Sequence, residues 1–527
     1  MSAVHAFELI LVLLAVALGL AVLARWLQVP TAVVFVLGGM ALAVAPGVPE
    51  IRLDPELTMT LFLPPLLMAS AYFTSWRAFR ANLRPILLLA VGAVAFTTVT
   101  VAVVTKMLLP GLPWAACFAL GAIVSPPDAV AAASVLERLR MPKRIVTVLS
   151  GESLVNDASG LVLYRFAVAA AMTGVFDPVV ATGAFLAVSA GGIGVGLVAG
   201  WGLAWLAPRL RDTHLETAAS FLAAWGSYIL AEQLHVSGVL ATVVCGVWFG
   251  WRRHEVLSAR TRLEARAAWG FVVFVMDALV FILIGLSLHG VLQRIGPGQA
   301  EVLAPAALAV VATVIVGRFV WVFPAAQLSR PPWVRNRDPV PPAAVLTVIS
   351  WAGMRGVVSL AAALALPAGF PGRDAVIVLT FAVILGTVLL QGVTLGPLIR
   401  RLGLGDGEGE GEHPAVQARL AAERAALAAI EHRAADPLDG AMAADLLAEY
   451  RDRAGTTVGD AGPTLAARRA AREARLVLRL HANEAARVHL VAQSRAGELD
   501  DDALAVVVEE LDLEDLRLRH QLGQAAH

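Results

Sequence analysis

Runs of about 20 apolar residues recur along the chain from residue 7 to about residue 401. A helix of this length crosses the hydrocarbon core of a bilayer, where lipid offers no partner to an unpaired backbone group. Thirteen such runs have centres near Leu18, Leu37, Pro65, Phe96, Ile123, Val162, Val188, Phe221, Val243, Leu279, Val311, Arg355 and Leu385. We therefore predict an all-α polytopic membrane protein with about 13 transmembrane helices, of which the second and ninth are the shortest.

The composition excludes a soluble globular protein for most of this length. Charged residues make up 16% of the chain and hydrophobic residues 58%, whereas soluble proteins carry about 25% charged residues. Two cysteines, Cys117 and Cys245, both lie in apolar runs and indicate neither a disulfide framework nor a metal cluster.

The charge balance divides the chain into two parts. Residues 1–401 carry 27 basic and 18 acidic residues, and residues 402–527 carry 14 basic and 23 acidic residues. We predict a transmembrane domain over 1–402, a flexible Gly/Glu linker over 403–414 and a helical cytosolic tail over 415–527, where apolar residues follow a helical spacing. The tail serves either packing and dimer support or regulation.

Basic residues lie in alternate loops between the predicted spans. With the N-terminus outside, the cytoplasmic loops contain 20 Lys and Arg residues and the outer loops contain four. Cytoplasmic loops are the ones enriched in Lys and Arg. We predict a protein of the bacterial inner membrane with its N-terminus outside and its tail in the cytoplasm. The first run lacks a basic leader region and a small-residue cleavage site, which indicates a retained helix.

Two predicted spans contain residues that interrupt a helix. Span 5 has Pro126 and Pro127 at its middle, which remove two backbone donors and disfavour helix for the preceding residue. Span 12 has Gly353 and Gly356 on either side of Arg355. If spans 1–6 and 8–13 are inverted repeats, spans 5 and 12 correspond, and interrupted helices in matching halves indicate a transporter site near the midplane.

Charged residues inside the spans each cost about 2.5–3.5 kcal/mol on insertion scales, so each requires a partner or a function. They are Asp128, Glu152, Asp157, Arg165, Asp277, Arg318 and Arg355. A position near an interface or in a structural ion pair accounts for such a residue as well. No role is assigned to Arg165, Asp277 or Arg318.

The stretch GESLVNDASG in span 6 places two carboxylates and an amide in an apolar helix. At about 100° per residue, Asn156 lies about 40° from Glu152, and Asp157 lies about 140° from it. The two acids therefore have different neighbours. We predict that Glu152 forms a structural ion pair with Arg355, which leaves Asp157 as the carboxylate without an ionic partner, close to Asn156 and Ser153.

Three segments, GAIVSPPDAVAA, LSGESLVNDASGLVLY and SWAGMRGVVSLAAAL, resemble those of bacterial sodium–proton exchangers in the first family of monovalent cation–proton antiporters. The resemblance extends over residues 7–402. It implies 13 helices, a homodimer, and a core domain with two broken crossing helices that moves against a dimerisation domain. It also implies that Asp157 binds a sodium ion or a proton, with Asn156 and Ser153 supporting the site.

Pro127 stands where many relatives of this family have threonine, whose oxygen can bind the ion. The remaining ligand candidates are a backbone carbonyl, Ser125, Asp128 or water, and the choice among Na⁺, Li⁺ and K⁺ stays open. The resemblance implies no cofactor, because Na⁺ at Asp157 is cargo. The implied partners are monovalent cations, protons and membrane lipid, with no nucleic acid.

The resemblance and the residues together predict secondary active exchange of Na⁺, or Li⁺, for H⁺ at one carboxylate, electroneutral and not enzymatic. A K⁺/H⁺ or broad monovalent cation antiporter would use the same residues. An intramembrane hydrolase acting through Glu152 or Asp157 would need a nucleophile–base pair or a metal motif such as HExxH, and the sequence contains neither. A channel is disfavoured because neutralising a fixed carboxylate suits stepwise exchange.

Overall fold

The structure is a computed structural model that describes residues 3–44, 55–128, 132, 135–136, 139, 141–174, 178–293, 299–328, 340–404, 428, 431, 463–495 and 501–525. Helices are the only regular secondary structure in these residues. The chain divides into two compact units, Met1–Gly407 and Glu408–His527, and the division falls inside the predicted 403–414 linker. Most of that linker, and nearly all of 415–462, lies outside the described residues.

The larger unit contains helices of up to 35 residues, well beyond the mean of about 11–12 residues in soluble proteins. They are α1 (Ala3–Leu27), α2 (Thr31–Val44), α3 (Pro55–Phe73), α4 (Trp76–Ala81), α5 (Leu83–Leu87), α6 (Val94–Leu108), α7 (Trp114–Val124), α8 (Lys143–Thr173), α9 (Pro178–Leu210), α10 (Thr213–Gln233), α11 (Gly238–Val256), α12 (Ala259–Gln293), α13 (Gln299–Leu328), α14 (Ala343–Trp351), α15 (Val357–Leu364) and α16 (Arg373–Arg401). A π-helical segment, Leu88–Ala93, joins α5 to α6.

Six described helical segments are long and apolar enough, by length and composition, to cross a membrane. They are Leu83–Leu108, Arg144–Thr173, Thr182–Leu210, Arg260–Ser287, Glu301–Leu328 and Arg373–Arg401. Of the 13 predicted span centres, all but Arg355 fall within a described helix. The all-α fold is therefore confirmed for the described residues, while the count of 13 spans and their inverted repeats stay predictions.

The first predicted interruption is present in the structure. Helix α7 ends at Val124, and the backbone is not helical up to Asp128. Pro126 and Pro127 explain the end of the helix, because neither has an N–H to continue the hydrogen-bond ladder. Residues 129–131 lie outside the described residues.

The second interruption separates α14 from α15. The five residues 352–356 are buried and not helical. The two interruptions contact each other, because the backbone N–H of Asp128 donates a hydrogen bond of 2.7 Å to the carbonyl of Met354. One backbone donor of the first break is thus paired with a carbonyl of the second, and the backbone N–H of Arg355 donates to the hydroxyl of Thr387 on α16, as buried polar groups require.

The π-helical segment fixes one further helix next to these breaks. The indole N–H of Trp321 on α13 donates to the carbonyl of Leu88, the first residue of the π-helical segment, at 2.9 Å. Trp321 lies one turn after Arg318 on α13. This contact ties α13 to the π-helical segment.

The smaller unit contains two described helices, α17 (Pro463–Arg495) and α18 (Asp501–Ala525). The amide of Asn483 on α17 donates to the carboxylate of Asp515 on α18 at 3.0 Å, and both side chains are buried. A buried polar pair of this kind holds two helices in one register.

Candidate functional site

A cavity of about 1010 Å³ lies between one face each of α3, α8 and α12. On α12 it begins at Arg266 and Gly270, which are exposed. At its deep end it reaches Asp157, which is 8% exposed. Asp128 and Gly356, one from each helix interruption, complete the inner wall. The cavity therefore connects the surface of the unit with the point where the two breaks meet.

The wall contributed by α8 is a row of polar side chains. Thr147, Ser150, Ser153 and Asp157 all line the cavity, and their spacing of three to four residues puts them on one face of a helix. Oxygen atoms are the ligands that hard cations prefer. The row provides such atoms from the shallow part of the cavity to the buried carboxylate.

Asp157 is the buried acid of this wall. Within the described part of the chain, no hydrogen bond and no ion pair is found for its carboxylate. A buried charge without a partner is unfavourable, so the carboxylate has to be neutralised by a proton or by a bound cation. Asp157 can therefore hold either one.

Glu152 has a partner other than the one predicted. Its two carboxylate oxygens accept hydrogen bonds of 2.6 and 2.7 Å from the guanidinium of Arg318 on α13, and the side chains are 1% and 2% exposed. The predicted pair of Glu152 with Arg355 is therefore wrong. The bidentate geometry satisfies both carboxylate oxygens, so Glu152 has a structural role, with a different arginine.

Arg355 does not pair with Glu152 because its guanidinium binds the backbone carbonyls of the breaks. It donates to the carbonyls of Val124 at 2.8 Å and Ser125 at 3.2 Å, and also to that of Gly353. Carbonyls at the end of a helix carry partial negative charge. The buried guanidinium therefore neutralises the C-terminal end of α7 and ties it to the second break.

Two of the five predicted ion-binding residues do not line the cavity. Asn156 is fully buried, and its amide N–H donates to the carbonyl of Pro127 at 2.8 Å. The hydroxyl of Ser125 donates to the carbonyl of Ala122 at 3.1 Å. Both side chains hold the first break in place. Asp157, Ser153 and Asp128 are the predicted residues that the structure brings to the cavity.

Asp277 on α12 is a cavity residue for which the sequence indicated no role. It lines the same cavity as Asp157 and Asp128. The signal available in the sequence was an unexplained acid at the middle of an apolar span, 11 residues after Arg266. That spacing puts both residues on one helix face, since 11 residues complete about three turns.

Arg165 and Glu232 form an ion pair of 3.1 Å in which both side chains are substantially exposed. An exposed pair of this kind contributes about 0–1 kcal/mol. Arg165, the last of the charged span residues, is therefore accounted for without a role in the cavity.

Together these features define a class of protein. Two interrupted helices meet beside a carboxylate that has no partner among the residues described, at the deep end of a cavity inside an apolar helical unit. This is the arrangement of an ion-coupled secondary transporter, in which irregular backbone at membrane depth borders a water-filled space.

Comparisons with known proteins give the family. The family described as "Sodium/hydrogen exchanger, transmembrane" matches residues 11–401. An uncharacterized Na⁺/H⁺ exchanger of Mycobacterium tuberculosis is 35% identical over 83% of this chain and 82% of its own. A low-affinity Na⁺/H⁺ antiporter of Synechocystis is 33% identical over 82% of this chain and 81% of its own.

The sodium–proton antiporter MjNhaP1 of Methanocaldococcus jannaschii has the same fold. Its structure superposes with a TM-score of 0.61 and 18% sequence identity, over 77% of this chain and 100% of that chain. The chain belongs to the sodium/hydrogen exchanger family, as the resemblance of its motifs predicts. It is a multi-pass membrane protein of a transporter family.

Proposed function

We propose that the chain exchanges Na⁺, or Li⁺, for H⁺ across the bacterial inner membrane and that Asp157 binds the two ions alternately. The observation that carries this proposal is the position of Asp157. It is nine-tenths buried, lines the cavity, and has no partner among the described residues, whereas Glu152, five residues earlier, is fully paired with Arg318.

Antiport follows from competition for one negative charge. A protonated Asp157 and a Na⁺-bound Asp157 are both neutral, so either can pass through the low-dielectric interior, while the empty charged carboxylate is disfavoured. One Na⁺ for one H⁺ moves no net charge. Asp128 and Ser153 are proposed as further oxygen ligands, and Asn156 and Ser125 as residues that position the break.

The cavity is proposed to open to the cytoplasm. Its exposed end lies at the start of α12, immediately after the basic loop WRRHEVLSARTRLEAR. Basic loops lie on the cytoplasmic side. The structure therefore supports an inward-open state, with the N-terminus outside and the tail inside. The 13 spans, the inverted repeats, the homodimer, and the 1–402, 403–414 and 415–527 division belong to the same proposal.

The proposal is tested by cation-resolved exchange in everted membrane vesicles. After acidification, Na⁺ and Li⁺ are expected to restore the fluorescence of a pH-sensitive dye, and K⁺ to do so less. Clamping the membrane potential with valinomycin and K⁺ is expected to leave the Na⁺ response unchanged, because no net charge moves.

Absence of a response to any of the three cations, in vesicles that contain the folded protein, would contradict antiport. A response to K⁺ alone would identify a K⁺/H⁺ antiporter with the same residues. A response to Na⁺ that depends on the clamped potential would show that the exchange is not electroneutral.

The contact between the two breaks gives a further prediction. A β-carbon at Gly356 would overlap the carboxylate of Asp128, so Gly356→Ala displaces Asp128 or separates the breaks. We expect the exchange rate to fall at least about tenfold, since displacing a reacting group by 1 Å costs up to about 100-fold. Gly194→Ala on α9 is the matched control, because its β-carbon meets no atom of the described residues within 4 Å. Equal exchange in both variants would contradict the close contact.

A further inference from the structure

We propose that Asp277 is a second carboxylate of the transport pathway, which captures the incoming cation before it reaches Asp157. In this role Asp277 sets the apparent affinity for the cation and does not itself carry out the exchange. The inference rests on the proposed antiport function and assigns to it a residue that determines the apparent affinity for the cation.

The position of Asp277 in the cavity is the first observation. Residues Arg266, Gly270, Val273 and Asp277 all line the cavity from α12, and their spacing defines one continuous helix face. Asp277 lies about 16 Å further along the helix axis than Arg266, at 1.5 Å per residue. It is therefore deep in the cavity, on the wall contributed by α12, while Asp157 belongs to the wall contributed by α8.

The second observation is that Asp277 has no partner in the part of the chain that the structure describes. Over the described ranges, its carboxylate makes no hydrogen bond and no ion pair. The charged residues Arg165 and Glu152 on α8 and Arg318 on α13 are all paired. An ionisable residue inside a membrane span that has no structural partner and borders a cavity is typical of an ion or proton pathway.

The third observation is the arrangement of the three cavity acids. Asp128 is close enough to interact electrostatically with Asp157 and with Asp277. Within the described residues these acids are nevertheless not grouped closely enough to hold one metal ion together. Asp277 is half-buried whereas Asp157 is buried, so we place Asp277 at an outer position of the cavity wall and Asp157, with Asp128 as its co-ligand, at the inner one.

Arg266 explains why a negative charge is needed at this depth. It is exposed, lines the shallow part of the cavity, and lies over the ring of Phe73 at 5.7 Å from the ring centre. A positive charge there repels an entering cation. A carboxylate deeper on the same helix face offsets that repulsion and attracts the cation into the cavity.

The proposal is tested in proteoliposomes by varying the Na⁺ concentration with the Asp277→Asn variant. We expect the KM for Na⁺ to rise about tenfold, which corresponds to about 1.4 kcal/mol. Vmax at saturating Na⁺ is expected to stay within about twofold of the wild type, because Asp157 still exchanges the ions. Asp277→Glu keeps the charge and is expected to restore a KM close to that of the wild type.

Glu232→Gln is the matched control, because it also removes one negative charge but lies in the exposed pair with Arg165. Its KM is expected to be that of the wild type. If Asp277→Asn does not fold, Asp277→Ser gives the same comparison with a smaller side chain. An unchanged KM, or loss of exchange at saturating Na⁺ in a folded variant, would overturn the proposal. A wild-type protein without exchange would instead refute the proposed function.

Discussion

Replacing Asp157 by asparagine is expected to abolish Na⁺-driven proton movement while leaving the protein folded. Asparagine has nearly the same shape but cannot bind a proton and offers no charge to a cation, so neither half of the exchange can occur. Asp157 has no described partner that would be left unpaired, and neutral asparagine removes the cost of an unpaired buried charge. Dye fluorescence in everted vesicles measures the exchange, and size-exclusion chromatography measures the folded fraction.

The control for this variant removes a negative charge outside the cavity. Glu264→Gln breaks an exposed pair with Arg260 on the first turns of α12, so exchange is expected to match the wild type. Na⁺-dependent proton movement retained by Asp157→Asn would show that another carboxylate carries the exchange. Asp128 would then be the first to examine, because it borders the same end of the cavity.

Breaking the buried pair of Glu152 and Arg318 is expected to destabilise the membrane unit strongly. Glu152→Gln leaves the guanidinium of Arg318, which is 2% exposed, without its counter-charge. Removing one partner of a buried pair costs about 3–5 kcal/mol, since the other charge is left uncompensated. The midpoint of thermal unfolding in detergent is expected to fall well below that of the wild type, with Glu232→Gln, from an exposed pair, as the control.

A double-mutant cycle identifies the partner of Glu152. The effects of Glu152→Gln and Arg318→Gln are expected not to add, because both variants remove the same interaction. The effects of Glu152→Gln and Arg355→Gln are expected to add more closely, since Arg355 binds backbone carbonyls. Stronger coupling of Glu152 to Arg355 than to Arg318 would contradict the pairing seen in the structure.

Two interruptions could be predicted, the one after α7 and the one between α14 and α15. Each arises from residues within the interrupted segment itself. Pro126 and Pro127 remove backbone donors wherever the helix lies. The partner of Glu152 could not be predicted in this way. Arg318 and Arg355 are both buried, in different helices, and choosing between them requires the positions of those helices relative to α8.

The angular position of Asn156 around the axis of α8 was a better predictor of its surroundings than the motif that contains it. Asn156 lies about 40° from Glu152 on the helix, and in the structure neither residue lines the cavity, whereas Ser153 and Asp157 do. The resemblance to the exchanger family grouped Asn156 with Asp157 as a residue that supports the ion site. Neighbours in sequence point about 100° apart, so the angle was the better guide.

Asp277 illustrates a different limit of prediction from sequence. An acid near the middle of an apolar span is recognisable from the sequence, but the rotation of that helix about its own axis is not. Helix α12 has apolar residues around most of its circumference, so no amphipathic pattern indicates which face borders water. Only the fold shows that this acid lies in the cavity, because α12 packs against α3 and faces α8 across the cavity.

The bonds of Arg355 have a consequence for the hydration of the transported ion. The carbonyls of Val124, Ser125 and Gly353 accept hydrogen bonds from this guanidinium, and the carbonyl of Pro127 accepts one from Asn156. Each of these four backbone oxygens therefore has one lone pair engaged by the protein's own donors, which leaves less capacity to replace the water around an ion. We expect a sodium ion at Asp157 to keep part of its water shell, so the free energy of partial dehydration contributes to cation choice.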